Sequence, residues 1–189
     1  MEISEAYRFC PICGTARLLV GEHRPFKCQS CRHTSFFGPV TAVGGVIAND
    51  KDQILLIERA RDPGLGKLGM PGGFVDPNES ADVALRREIR EEVGIDVGNL
   101  TYLMTAPNTY LYNGVYYPVL DIYFHAFAEP HQIVRPEGTE VSTWLWTELT
   151  LEVLDRMAFP SNRHALEHYL NLASASSTLN YRAGRSGSC

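Results

Sequence analysis

The chain has 189 residues, 44% of them hydrophobic and 21% charged, enough for one substantial domain plus a small appendage. No apolar run is long enough to span a membrane, which excludes a helical membrane protein. A formal charge of -5 and a pI near 5.7 argue against broad electrostatic attachment to DNA or RNA, so nucleic acid is not an expected partner, although a local basic pocket is compatible with that balance.

From the N-terminus, Met1-Glu2-Ile3-Ser4-Glu5 has no apolar signal-like segment, and a reducing, cytoplasmic setting is expected. Two Cys-x-x-Cys knuckles follow, Cys10-Pro-Ile-Cys13 and Cys28-Gln-Ser-Cys31, with fourteen residues between them. Four thiolates at this spacing can close a tetrahedral Zn²⁺ site that has no open position, which argues for a structural rather than a catalytic ion. Disulfides and a thiol redox pair are the competing readings, and the absence of a secretory segment weighs against the first. The piece from Leu18-Leu19-Val20 to Phe26-Lys27 is too short for a core of its own, so zinc affinity on the order of 10–16 kcal/mol would make its folding metal-dependent. His23 and His33 are read as surface residues and Cys189 as a free thiol. Residues 1–38 are thus expected to form a zinc ribbon, ending near Phe37-Gly38-Pro39.

A strand is predicted over Val40 to Ala48, with Gly44-Gly45 marking a bulge or close packing. Asn49-Asp50-Lys51-Asp52 reads as a hairpin turn and Gln53 to Glu58 as a short apolar strand. A polar, Gly-rich loop from Arg59 to Gly69 follows. Arg59, Arg61 and Lys67 in that loop are candidates to meet phosphates, against the plainer reading of solvated charges.

Gly73 to Ile95 carries the chemistry. At about 100° per residue, Ala81, Ala84, Leu85 and Ile89 share one helical face, and Glu88 and Glu92 fall on the same stripe. Two inward carboxylates, with Glu91 beside them, need compensating cations, and a divalent metal is the simplest. A solvated, salt-bridged helix is the plainer alternative, which arginines 86, 87 and 90 partly support. Asn78 or Ser80 can cap the helix start and Gly94 can end it. The Gly69–Phe74 loop supplies backbone freedom for a Gly72 or Gly73 carbonyl to turn toward an ion. Hard oxygen ligands suit Mg²⁺ or Mn²⁺.

Beyond the helix, strands are predicted around Leu100–Thr105, Val115–Ala128 and Val141–Trp146, and helices at Leu149–Met157 and Arg163–Leu172, the latter introduced by Pro160 with Ser161 or Asn162 as cap. Asn113-Gly114 reads as a turn. Among the flanking Tyr110, Tyr112, Tyr116 and Tyr117, one or two can stack on a base or line a subunit contact. From Ala173 onward the composition suggests a disordered tail, 173–189, leaving 39–172 as the main domain.

The run from Gly73 resembles the Nudix box, with every specified position filled: Gly73, Glu79, Arg87, Glu88, Ile89, Glu91, Glu92, Gly94 and Ile95. The resemblance implies an α/β fold, a Nudix-type α/β/α sandwich with a central mixed sheet. It implies a hydrolase that cleaves the pyrophosphate of a nucleoside diphosphate linked to another group. By resemblance Glu88, Glu91 and Glu92 are metal ligands, Arg87 and Glu79 support them, and Glu140, or Glu137 nearby, is a further acid. A ribbon followed by this box is similar to the NADH pyrophosphatase branch, yet Met104-Thr105-Ala106-Pro107-Asn108-Thr109-Tyr110 stands where that branch carries Ser-Gln-Pro-Trp-Pro-Phe-Pro. An ADP-ribose-like substrate is therefore as well supported as NADH. A homodimer is expected by analogy, and the rival to an enzyme is a non-catalytic, nucleotide-sensing module whose ribbon contacts a macromolecule.

Overall fold

The computed structural model describes residues 1–17, 25–130, 132–136 and 139–183, the last eight by backbone only. Leu18-Leu19-Val20, His23, Glu137 and Cys189 lie outside the described residues. In chain order the elements are α1 (Ile3–Ala6), β1 (Phe26–Lys27), β2 (Thr34–Ser35), β3 (Val40–Ala48), β4 (Ile54–Arg59), β5 (Leu68–Gly69), α2 (Ala81–Val93), β6 (Thr101–Tyr112), β7 (Val115–Phe127), β8 (Val141–Thr147), α3 (Leu151–Asp155) and α4 (Pro160–Ala183).

The N-terminal part is a β1–β2 antiparallel pair with Cys10, Phe26 and Cys28 buried against Phe37. The Arg17 guanidinium lies 5.5 Å from the Phe26 ring and 5.9 Å from Phe37, a cation–π contact that thickens this small core. It is tied to the larger sheet through its first residues: Tyr116 N–H donates to the Met1 carbonyl at 2.8 Å and Glu2 bridges Tyr116.

The main sheet is mixed. Its path runs β5-β4-β3-β7-β6 with β8 added to β4, and only the central β3–β7 pair is parallel. Both faces of β3 and β4 are apolar because both are covered, which is why these strands read as continuous hydrophobic runs. Val43, Ile47, Leu55 and Ile57 pack under α2, whereas Val46, Ala48, Ile54 and Leu56 pack with Leu154, Ala165 and Leu166 from α3 and α4. Helix α2 on one face and α3 with α4 on the other give the α/β/α sandwich expected.

Several boundaries differ from the sequence reading. β6 continues to Tyr112 because it pairs with β7 along nearly its whole length, and Pro107 is tolerated because β6 is the outer strand. Gly44-Gly45 marks close packing: a Cβ on Gly44 would stand 2.7 Å from the Tyr123 ring. Leu68–Gly69 forms a two-residue strand inside the expected loop, held by β4. α4 begins at Pro160 itself, where its missing N–H costs nothing, so neither Ser161 nor Asn162 is the cap. α4 also runs through Ala183, so the tail expected from residue 173 is helical to that point; good helix formers such as Ala173 and Ala175 extend it.

Leu85 is fully buried beneath the sheet and Val83 is 52% exposed on the same helix. Leu85→Ala is expected to cost about 2–5 kcal/mol of stability and Val83→Ala within about 0.5 kcal/mol in denaturant titration.

Candidate functional site

Helix α2 forms as its pattern dictates, with Ala84, Leu85, Ile89 and Val93 buried and Gly94 closing it at φ 68° through a 3.1 Å bond to the Arg90 carbonyl. Ser80 occupies the N-cap position, but its hydroxyl bonds Asp82 at 2.6 Å instead of a backbone amide. Glu92 is 8% exposed, on the edge of the apolar face. Of the three neighbouring arginines, Arg86 donates to the Val97 and Gly98 carbonyls, Arg90 pairs with Asp96, and Arg87 turns toward the acids. The helix is therefore not a solvated charged face.

Arg87 organises one wall. It grips Glu79 in a two-pronged bond, 3.0 Å on each arm, and reaches Glu88 at 2.8 Å, Glu91 at 3.0 Å and the Phe74 carbonyl at 3.1 Å. The Glu79 bond above all holds the guanidinium well above its ordinary range, while Arg87 keeps Glu79 below the usual carboxylate range. Glu92 takes its one hydrogen bond from the Gly72 N–H at 2.8 Å. Burial pushes its carboxyl up to about 8 despite that bond, and repulsion from Glu88 and Glu140 adds to the rise. Burial also raises Glu88, against the opposing pull of Arg87.

The loop before α2 is not the mobile segment expected. It is zipped along β3, with Val43 N–H bonded to the Gly73 carbonyl (2.8 Å), Gly45 N–H to Pro71 (2.9 Å) and Val75 N–H to Thr41 (3.1 Å). The Gly73 carbonyl is thus engaged, which leaves that of Gly72 as the main-chain candidate ligand. The glycines serve contact: a Cβ on Gly72, at φ 148°, would lie 2.1 Å from the Val43 carbonyl oxygen, and one on Gly73 would lie 2.5 Å from Glu88 Oε1.

These parts border a cleft of about 370 Å³. It collects Arg87, Glu88, Glu91, Glu92, Gly72, Gly73 and Glu140 with Arg59, Arg61 and Tyr110; Glu79 and Lys67 do not line it. Glu140 forms an ion pair with Arg61. Arg59 donates to the Pro63 carbonyl at 2.7 Å and lies 5.1 Å from the Phe159 ring. A second, aromatic hollow opens beside it, lined by Phe74, Tyr110, Tyr112 and Tyr117 with Arg61. Tyr116 lies outside both, beside the N-terminal segment.

The opposite wall was not anticipated. Asn108, Asp121, Tyr123, Phe159 and Asn162 also line the cleft. Asp121 Oδ2 accepts from Asn108 Nδ2 at 2.9 Å and from the Tyr123 hydroxyl at 3.0 Å; that hydroxyl also lies 2.8 Å from the Asn162 side chain. A phenol has one hydrogen, so it goes to the charged carboxylate and the Asn162 amide turns its NH₂ to the phenol oxygen. The available signal was a single acid at an inward register of an otherwise apolar strand, Val119-Leu120-Asp121-Ile122-Tyr123.

The four cysteine sulfurs lie within 4.8 Å of one another, with Cys10–Cys31 and Cys13–Cys28 each at 3.6 Å. Thiolates about 2.3 Å from a tetrahedral Zn²⁺ stand roughly 3.8 Å apart, so this set fits that ion. The Thr15 hydroxyl, 3.3 Å away, lowers the Cys13 thiol to about 6. His33 bonds Ser35 instead of joining the cluster. Among the described residues no other group of ligand atoms is so tightly gathered: Glu88, Glu91 and Glu92 face one cleft, with Glu88 and Glu91 sharing Arg87 Nη1 and Glu92 bonded to the Gly72 N–H.

The NUDIX domain profile matches residues 38–169. A protein of Pseudomonas aeruginosa (strain LESB58) described as NAD-capped RNA hydrolase NudC is 30% identical over 184 residues, covering 95% of this chain and 57% of its own. A namesake in Pseudomonas putida (strain F1) is 28% identical over 169 residues, 88% of this chain and 55% of its own. The chain spans about half the length of these curated relatives. Among solved structures, a MutT NUDIX hydrolase from Burkholderia pseudomallei is 31% identical with a TM-score of 0.53, covering 69% of this chain and 98% of its own. The NUDIX domain of Shewanella oneidensis NrtR, solved with ADP ribose, shares the fold at a TM-score of 0.60 and 24% identity, covering 72% and 90%.

The raised Glu92 carboxyl has a signed consequence. The folded chain holds this proton more tightly than the unfolded chain, so the stabilising contribution is full below the ordinary value of 4.5 and is lost as pH climbs through about 8. In metal-free protein this group is expected to lower the melting temperature progressively between about pH 5 and pH 8, and calorimetry should show a smaller fall over that range in Glu92→Gln.

Proposed function

The chain belongs to the Nudix family, and from that premise we propose that it is a Mg²⁺- or Mn²⁺-dependent pyrophosphohydrolase acting on a nucleoside diphosphate linked to another moiety, ADP-ribose-like or a dinucleotide such as NADH. Water adds across the phosphoanhydride, giving a nucleoside monophosphate and a phosphorylated remainder. One observation carries the reading: a buried Glu92 whose one hydrogen bond among the described residues comes from the Gly72 N–H and whose burial the nearby Arg59 charge does not offset, in a cleft it shares with Glu88, Glu91 and Glu140. Such a carboxylate is stable as an anion only beside a cation.

A bound divalent ion supplies charge neutralisation for the diphosphate and a lowered pKa for the attacking water. The chain's own residues do the rest. Glu88, Glu91 and Glu92, with the Gly72 carbonyl, hold the ion, and Arg87, anchored by Glu79, fixes the angle of Glu88 and Glu91. Glu140, steadied by Arg61, accepts the water's proton. Arg59 and Arg61 meet the phosphates, and Tyr110, 5.4 Å from Phe74, offers a flat face to a ring. The name of the relatives, NAD-capped RNA hydrolase, supports NAD-like diphosphates within this class.

We further propose that the four cysteines hold a structural Zn²⁺ in a ribbon over residues 1–38 preceding the hydrolase domain at 39–172, that the protein is cytoplasmic, and that it pairs as a homodimer. No helix among the described residues is long and apolar enough to cross a membrane. The outer strand β6, with Tyr102 and Tyr112 exposed, supports a subunit contact.

Incubation with ADP-ribose, NADH, NAD, diadenosine polyphosphates and nucleotide sugars plus Mg²⁺ is expected to release nucleoside monophosphate from at least one of them; binding without turnover across the panel would instead favour a sensing module. Glu92→Gln is expected to lower kcat on the order of 100-fold or more while the fold is retained, read by steady-state assay and circular dichroism. Elemental analysis should find about one zinc per chain, and its removal by chelator should unfold the ribbon ahead of the main sheet.

A further inference from the structure

We propose that Asp121 reads the base of the nucleoside half, its free oxygen accepting a hydrogen bond from an exocyclic amino group; this rests on the pyrophosphohydrolase reading above. Asp121 is 6% exposed, sits mid-strand in β7 and lines the cleft. Its two oxygens differ. Oδ2 is filled by Asn108 Nδ2 and the Tyr123 hydroxyl, both neutral donors that fix the carboxylate's plane. Among the described residues Oδ1 has no hydrogen-bond partner and is not one of the enclosed, unpartnered polar atoms, and because Asp121 lines the cleft we read this oxygen as the one turned to it.

An anionic acceptor fixed there selects its neighbour. It repels phosphate, which belongs with Arg59 and Arg61, and it demands a donor because a lone pair set against it would be desolvated and unpaired. The surroundings are flat: the Tyr110 and Phe159 rings lie 6.1 Å apart at 30°, and Phe74 meets Tyr110 edge-on. A heterocycle lodged against these faces presents its edge to Asp121. An amino group offers hydrogens alone, whereas the ring N–H of an oxo base is flanked by carbonyl lone pairs that would face the same oxygen. The reading is therefore for adenine over hypoxanthine and for cytosine over uracil.

The test compares kcat/KM for ADP-ribose and its hypoxanthine counterpart with Mg²⁺. Wild type is expected to favour the amino base on the order of 10- to 100-fold, and Asp121→Asn, whose amide can donate to a carbonyl, to reduce the preference to about threefold or less. Calorimetric binding of AMP against IMP reads the same preference without turnover, so an inactive protein that still prefers AMP overturns the hydrolase reading and keeps this one. Equal use of both bases by wild type overturns the proposal without recourse to any variant. A preference that survives in Asp121→Asn, with an unchanged melting temperature, overturns the role of this residue. An Asp121-dependent loss seen only with 2′-deoxy or 3′-deoxy ribose analogues moves the contact to the sugar and likewise overturns it.

Discussion

Backbone, not side chain, meets the acidic edge of helix α2, and the cleft exists because of that contact. Gly72 presents its N–H to Glu92 and leaves no room for a Cβ against Val43; Gly73 leaves none against Glu88. Any side chain at either position would push the loop off β3 or the carboxylates out of the cleft. The loop is stiffened by β3 on one side and by the Arg87 bond to Phe74 on the other, so the acids are positioned before any ligand arrives. This arrangement stores unfavourable electrostatics, since Glu88 and Glu92 are desolvated near each other and near Glu140. A cation bound in the cleft would relieve that repulsion.

The cleft joins two walls of different character. On the α2 side lie charges in a network centred on Arg87. On the α4 side lie Asn108, Tyr123 and Asn162 around one carboxylate, with the Phe159 and Tyr110 rings beside them. The charged wall suits a diphosphate, which is common to a wide range of substrates. The second wall suits the part of a substrate that varies. The parallel β3–β7 pair sets Ala42 beside Asp121, so the sheet fixes how far the second wall stands from the glycine loop zipped along β3.

What was legible in the sequence follows from period and spacing. The phase of Ala84, Leu85 and Ile89 placed Glu88 and Glu92 at the edge of the buried stripe, and the paired Cys-x-x-Cys knuckles gathered four sulfurs. Strands β3, β4 and β7 were visible as apolar runs bounded by turn residues. The second wall was not, because Asn108, Asp121 and Asn162 come from three elements and meet only through long-range pairing that no local pattern encodes. β6 was cut short at Thr105 for the same reason: Pro107 and Asn108 have weak strand propensity and are extended by β7 rather than by their own preference. The stiffness of the Gly-rich loop was missed because glycine was read as freedom, where here it permits close approach.

The parallel pairing of Val40–Ala48 with Val119–Phe127 joins segments about eighty positions apart at the heart of the sheet. During synthesis the β3–β4 hairpin can form early, but it has no neighbour on its other edge until the chain has emerged past Phe127. The cysteine-bearing segment, complete by Cys31, has emerged long before that. The parallel centre of the sheet is therefore its last part to become available, and the interval in which β3 has an open edge is when this chain most needs protection from self-association.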